Sequence, residues 1–139
     1  MQRGNGLITL DDLKNYEPKL RKPVTGTCRG YDIYSMSPPS SGGAHIIQIL
    51  NILEKYPIGN LGHNSAKTIH LMVEAMKRAY ADRSKYLRDS DFVDVPLNGI
   101  TSKKYAALLR AGIDPNFASN SKEILPGDPV GLESKYCHD

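Results

Sequence analysis

Apolar and polar positions follow two different periods along this chain, and the change from one to the other divides it into elements. Between Leu20 and Met36 the strand formers Val24, Thr25, Thr27, Tyr31, Ile33 and Tyr34 are interrupted by Arg29-Gly30. This predicts a β-hairpin with strands over about 20–27 and 31–36. Beyond Gly43 the spacing becomes helical, with Ile46, Ile49, Leu50 and Leu53 at i, i+3, i+4, i+7. Ile47 and Ile52 widen that stripe until the helix is apolar most of the way round, as expected of a helix buried on several sides. A longer helix over about 66–87 puts Ile69, Met72, Val73, Met76 and Tyr80 on one face and a Glu74–Arg78 pair on the other.

Local signals set the boundaries. Thr9 with Asp12 three residues on is a capping pair, so a short helix starts there and stops near Tyr16, before Pro18. Ser37-Pro38-Pro39-Ser40-Ser41-Gly42-Gly43 breaks regular structure and forms a shaped loop running into the apolar helix. Pro57, Gly59 and Gly62 end that helix, and Asn64 or Ser65 caps the next. Thr101 or Ser102 begins a short helix through Tyr105, Leu108 and Leu109, closed by Gly112. From Asp114 onward Pro115, Pro126, Gly127, Pro129 and Gly131 predict an extended, loop-rich tail over 114–139.

Composition narrows the class. At 139 residues, 40% hydrophobic and 24% charged, the chain is expected to be one globular domain. The net charge of +3 comes from scattered basic residues, which gives nucleic-acid binding no support. No window approaches the roughly 18 apolar residues of a membrane span, and Met1 to Gly6 lacks the apolar stretch of a signal peptide. Cys28 and Cys137 are far apart and in no metal or redox spacing.

The candidate chemistry is incomplete. Ser40-Ser41-Gly42-Gly43 at a helix start can present N–H groups and hydroxyls to an anion, or can simply cap the helix and let two elements approach. It is not a phosphate-binding loop, and no G-x-S-x-G elbow surrounds either serine. His45, His63, His70 and His138 form no metal-ligating pattern; His45 and His70 read as hydrogen-bonded structural histidines. Asp89, Asp91 and Asp94 lack the glycine and terminal glutamate of a calcium loop and read as a solvated acidic turn. Asp82 and Arg83, adjacent on a helix, point to different sides and each need another partner.

Several ordered stretches resemble one family. Gly6-Leu7-Ile8-Thr9 with Asp12-Leu13 and Tyr16, Arg29-Gly30-Tyr31, Pro38 through Glu54, Glu74-Ala75 through Ala79-Tyr80-Ala81-Asp82-Arg83-Ser84, Tyr86-Leu87, and Asp91-Phe92-Val93 through Pro96 resemble bacterial γ-glutamyltranspeptidases over roughly residues 6–112. That resemblance implies an α/β fold of the N-terminal-nucleophile hydrolase type (αββα). This chain would be a partial domain, mostly helical, whose hairpin joins a sheet completed by chain outside these residues. It corresponds to the C-terminal part of the large subunit.

What the resemblance implies about chemistry follows. A precursor cuts itself into two subunits, and a threonine freed at the start of the small subunit is the nucleophile, with its own amine as base. Asp139 is then the residue upstream of the cut bond, no catalytic residue lies in this chain, and Ser40, Ser41, Gly42 and Gly43 are scaffold near the site. The implied substrate is glutathione or a related γ-glutamyl compound, the partner is the small subunit, no metal or organic cofactor is required, and the compartment is periplasmic or extracellular. The assembled protein would transfer the γ-glutamyl group to water or to an amino acid, and the fragment alone would be inactive. The rival readings are a related acylase or poly-γ-glutamate-cleaving enzyme, and a non-catalytic module using helix 44–56 as a partner surface. Two positions depart from the family: Arg88, where a helix-ending glycine is common, and Lys135 to His138 beside the expected cut.

Overall fold

The computed structural model describes residues 2–133. Helix α1 (Leu10–Lys14) begins where expected: the Thr9 hydroxyl accepts from Asp12 N, while the Asp12 carboxylate accepts from Thr9 N and Oγ1, both at 2.7 Å. Strands β1 (Val24–Cys28) and β2 (Tyr31–Ser35) pair antiparallel, Gly26 opposite Ile33. Their two-residue turn has φ of 50° at Arg29 and 86° at Gly30, the left-handed pair that matches strand twist. The first strand is shorter than the pattern predicts. Residues 20–23 stay outside the ladder, ending in Pro23, which has no N–H to give it.

Helix α2 (Gly42–Leu53) is the centre of the molecule, packed against the hairpin, α3 (Ala66–Tyr86) and α5 (Lys103–Ala111). The hairpin comes so close at Gly26 that a Cβ there would lie 2.7 Å from Ile47 Cγ2. Ile52, Leu71, Ala75, Ala106 and Ile113 form the buried cluster where α2, α3 and α5 meet. Burial on several sides is therefore correct for α2, but the predicted stripe is not its innermost face. Ala44, Ile47, Gln48, Asn51 and Ile52 are buried, while Ile46 is half exposed. The same packing removes the rival reading of α2 as a free partner surface, since its sides are occupied within the chain.

Helix α3 reverses the expectation outright. Its buried face is Thr68, Leu71, Glu74, Ala75, Arg78, Ala79 and Asp82. Ile69, Met72, Val73, Met76 and Tyr80 are between 39% and 53% exposed. The small residues Ala75 and Ala79 let α2 approach closely, and that close approach, not side-chain hydrophobicity, chose the face. The Glu74–Arg78 pair, expected on the solvent side, lies inside.

Ser65, not Asn64, caps α3 by accepting from Thr68 N, and Ser102 caps α5 by accepting from Tyr105 N. Gly112 closes α5 as expected. Short helices α4 (Leu97–Ile100) and α6 (Val130–Glu133) were not signalled by any period. After α3, Leu87 is extended and Arg88 is absent from the positive-φ residues, so no glycine-like conformation is demanded there. Asp91 is not simply solvated, for its carboxylate takes Lys19 at 2.7 Å and Arg21 at 2.8 Å, which holds its pKa well below the usual range.

Candidate functional site

The loop from Met36 to the start of α2 is built by close approach. A Cβ on Gly43 would overlap the Met36 carbonyl oxygen, with the Met36 carbonyl carbon and amide nitrogen both 3.1 Å away. Glycine is therefore required at 43, whereas at Gly42 the nearest atom to a Cβ is Ser40 Oγ at 3.5 Å. Ser40 Oγ accepts from Gly42 N at 3.3 Å. Ser41 occupies the N-cap position in an α-helical conformation and its side chain does not cap; its hydroxyl instead accepts from Arg83 Nε at 3.0 Å. Neither hydroxyl has a basic partner, because an arginine stays protonated and an amide N–H is only a donor. His45 turns its Nε2 to Ala79 O at 2.9 Å, and burial, then the charge of Arg83, pulls its pKa down against the contrary pull of that hydrogen bond. As its residues are placed, the loop shapes and positions; it does not activate a nucleophile.

One helix turn from this loop lies a feature that spacing alone did not disclose. Asp82 is fully buried. Its Oδ2 accepts from Gln48 Nε2 at 2.5 Å and from Tyr105 OH at 2.9 Å, while Oδ1 accepts from Gly127 N at 2.9 Å. Burial, then the neighbouring Asp82 charge, pushes the Tyr105 hydroxyl far above its ordinary pKa, so it stays a donor. The carboxylate thus joins α2, α3, α5 and the segment before α6. Arg83, next in sequence, faces Ser41 as the i,i+1 geometry requires. The available signal was a polar pair inside apolar runs: Gln48 on α2, and Asp82 following Ala75 and Ala79 on one face of α3.

A second buried charge set lies two turns earlier. Glu74 accepts from Lys77 Nζ at 2.7 Å, Arg78 Nη1 at 2.8 Å and Ser119 N at 3.0 Å, and Arg78 also donates to Gly112 O. Burial raises the Glu74 pKa, but the hydrogen bonds from Lys77, Ser119 and Arg78 outweigh it and bring it to about 2. His70 donates or accepts at Asp114 O, 2.8 Å away, a structural contact as read from the sequence. Among the described residues no group of three or more His, Cys, Asp or Glu side chains is placed to hold a metal, and no helix is long and apolar enough to cross a membrane. Asp139, Cys137 and His138 lie outside the described residues.

Helices laid on one face of a two-stranded antiparallel sheet with open edges make this a partial α/β unit of the N-terminal-nucleophile hydrolase type. The model of the γ-glutamyltranspeptidase family matches residues 1–136, and the chain belongs to that family. It is 52% identical over 134 residues to the glutathione hydrolase proenzyme of Escherichia coli K12, covering 96% of this chain and 23% of that one. It is 48% identical over 127 residues to the acylase ACY 1 proenzyme of Pseudomonas sp. SE83, covering 91% and 23%. The crystal structure of Helicobacter pylori γ-glutamyltranspeptidase superposes with a TM-score of 0.84 at 51% identity, over 88% of this chain and 35% of that one. The chain therefore spans about a quarter of the length of the curated relatives it matches, and those relatives are proenzymes.

Proposed function

We propose that this chain is the stretch of a γ-glutamyltransferase large subunit that leads to the processing bond, and that the assembled protein is a glutathione hydrolase. The observation that carries the reading is the 52% identity to a glutathione hydrolase proenzyme along nearly the whole chain. Two features of the chain support it. Neither Ser40 nor Ser41 has a base, so the nucleophile is supplied from elsewhere. The exposed apolar stripe of α3 is the kind of surface that a larger polypeptide covers.

In this reading the bond after Asp139 is cut by the hydroxyl of a threonine that follows it. The hydroxyl oxygen adds to the Asp139 carbonyl carbon, the peptide C–N bond breaks, and the amine takes up the proton the hydroxyl gives. Water then hydrolyses the ester, leaving a carboxylate on Asp139 and a threonine with free amine and hydroxyl. That hydroxyl next attacks the γ-glutamyl carbonyl of glutathione or a similar amide, and water or an amino acid accepts the γ-glutamyl group. The small subunit from the same precursor is the partner, Ser40 to Gly43 and the Asp82 cluster are support, and the compartment is periplasmic or extracellular.

The complete protein is expected to release p-nitroaniline from γ-glutamyl-p-nitroanilide, and residues 1–139 alone to release none. Turnover by the 139 residues alone, or none by the complete protein, overturns the reading. The acylase ACY 1 likeness at 48% keeps a second reading alive; a complete protein that cleaves an aliphatic side-chain amide of a β-lactam in preference to a γ-glutamyl amide would decide for it.

A further inference from the structure

Asp82 is an uneconomical way to stabilise a fold. It is fully buried, and none of the ion pairs among the described residues includes it. Its hydrogen-bond donors are an amide, a phenol and a backbone N–H, and a carboxylate held by neutral donors recovers less of its desolvation than one facing a cation. What it does is locate a segment. Oδ1 accepts from Gly127 N, and Tyr86, one turn further along α3, donates its hydroxyl to Gly127 O at 2.7 Å. Both polar groups of one residue in the tail are therefore taken by one helix.

The surrounding contacts allow no slack. A Cβ on Gly127 would overlap the Tyr105 hydroxyl, with Cζ at 3.0 Å. Two residues on, Pro129 is buried, and a Cβ on Gly99 would lie 2.9 Å from its carbonyl carbon. The chain is thus held at successive points over 126–129, immediately before α6. A stretch rich in proline and glycine has little propensity to hold itself, so its place is dictated by α3, α4 and α5.

We propose that Asp82 and Tyr86 are positioning residues for maturation: they fix Gly127 on α3 so that the bond after Asp139 is delivered to the hydroxyl that cuts it. The inference rests on the reading above that this is the processing bond. The maturation step is the hydroxyl addition and ester hydrolysis already written, with no further reactant. Asp82 and Tyr86 touch neither the reacting atoms nor substrate; they act through the placement of the tail.

The test follows the complete precursor and its Asp82→Asn and Tyr86→Phe variants by intact mass over time. Thermal melting is recorded alongside, with kcat and KM on γ-glutamyl-p-nitroanilide per mole of cleaved protein. D82N is expected to slow cleavage about tenfold, the rate equivalent of one charge-assisted hydrogen bond, and Y86F about threefold. The cleaved fraction of each is expected to keep wild-type kcat and KM. Y86F removes one oxygen from a partly buried site, so it reports even where D82N fails to fold. Cleavage of both within about twofold of wild type, or kcat and melting temperature falling in parallel with cleavage, overturns the proposal in favour of a purely structural cluster. A wild-type precursor whose masses place the cut elsewhere overturns the processing reading itself, and with it this inference.

Discussion

Glu74 and Arg78 face each other one turn apart on α3, Oε2 to Nη1 at 2.8 Å, with side chains 1% and 8% exposed. Their pairing at i,i+4 is what the spacing suggested, but inside the protein. There it no longer acts as a weak surface pair: it ties α3 to Gly112 at the end of α5 and to Ser119 in the tail.

Replacing Glu74 by Ala in the complete protein should cost about 3–5 kcal/mol, because Arg78 and Lys77 are left as buried charges without their anion. Urea unfolding measures this. The pH dependence has a defined sign: a carboxyl whose pKa falls from 4.5 to about 2 on folding stabilises above the unfolded value. That contribution, about 3 kcal/mol, is lost as pH falls from about 5 toward 2. E74Q should flatten the stability profile in that window.

His45 titrates in a separate range. Its pKa is lowered from 6.5 chiefly by burial, so protonation opposes folding and stability declines as pH falls below about 6.5. A His45→Gln variant should remove the slope between pH 7 and 5 while leaving the slope below pH 4.5 that Glu74 produces. Stability curves of the two variants overlaid on wild type separate the groups.

The paired glycines of the loop should behave oppositely. Gly43→Ala pushes a methyl into the Met36 backbone, which cannot swing aside, and should destabilise by about 1–3 kcal/mol or more. Gly42→Ala meets open space at a helical position and should be neutral or stabilising by up to about 1 kcal/mol. Chemical denaturation midpoints of the two variants check the contrast; equal effects would contradict the placement of the loop.

The α3 stripe should give opposite outcomes in two settings. Lys at both Val73 and Met76 should make the separate 139-residue chain more soluble and reduce its binding of an apolar dye. The same changes in the complete protein should lower the yield of folded precursor. Improvement in both settings would mean that nothing covers the stripe.

Features carried by neighbouring residues were legible in the sequence. The Thr9–Asp12 capping pair, the Arg29-Gly30 turn, and the caps at Ser65 and Ser102 each need only a few residues to define them. The inner face of α3 was not legible, because a helix with two apolar sides shows its period for the more hydrophobic one. Here that is the side with Ile69 and Met76, not the alanine side that α2 touches. The Asp82 cluster joins residues from 48 to 127 and is fixed by packing across the fold, so only its members were visible, as Gln48 within an apolar helix and a polar end to α3. The Pro and Gly of the tail signalled loop, but not that Gly127 would be gripped by both of its polar groups.

The most direct measurement is the site of the acyl intermediate. The complete protein is quenched during turnover of a γ-glutamyl substrate and its peptides are mapped by mass spectrometry. The γ-glutamyl group is expected on the first residue of the chain that follows Asp139, with residues 1–139 unlabelled. A γ-glutamyl adduct on Ser40, Ser41 or any other residue of this chain would contradict the account.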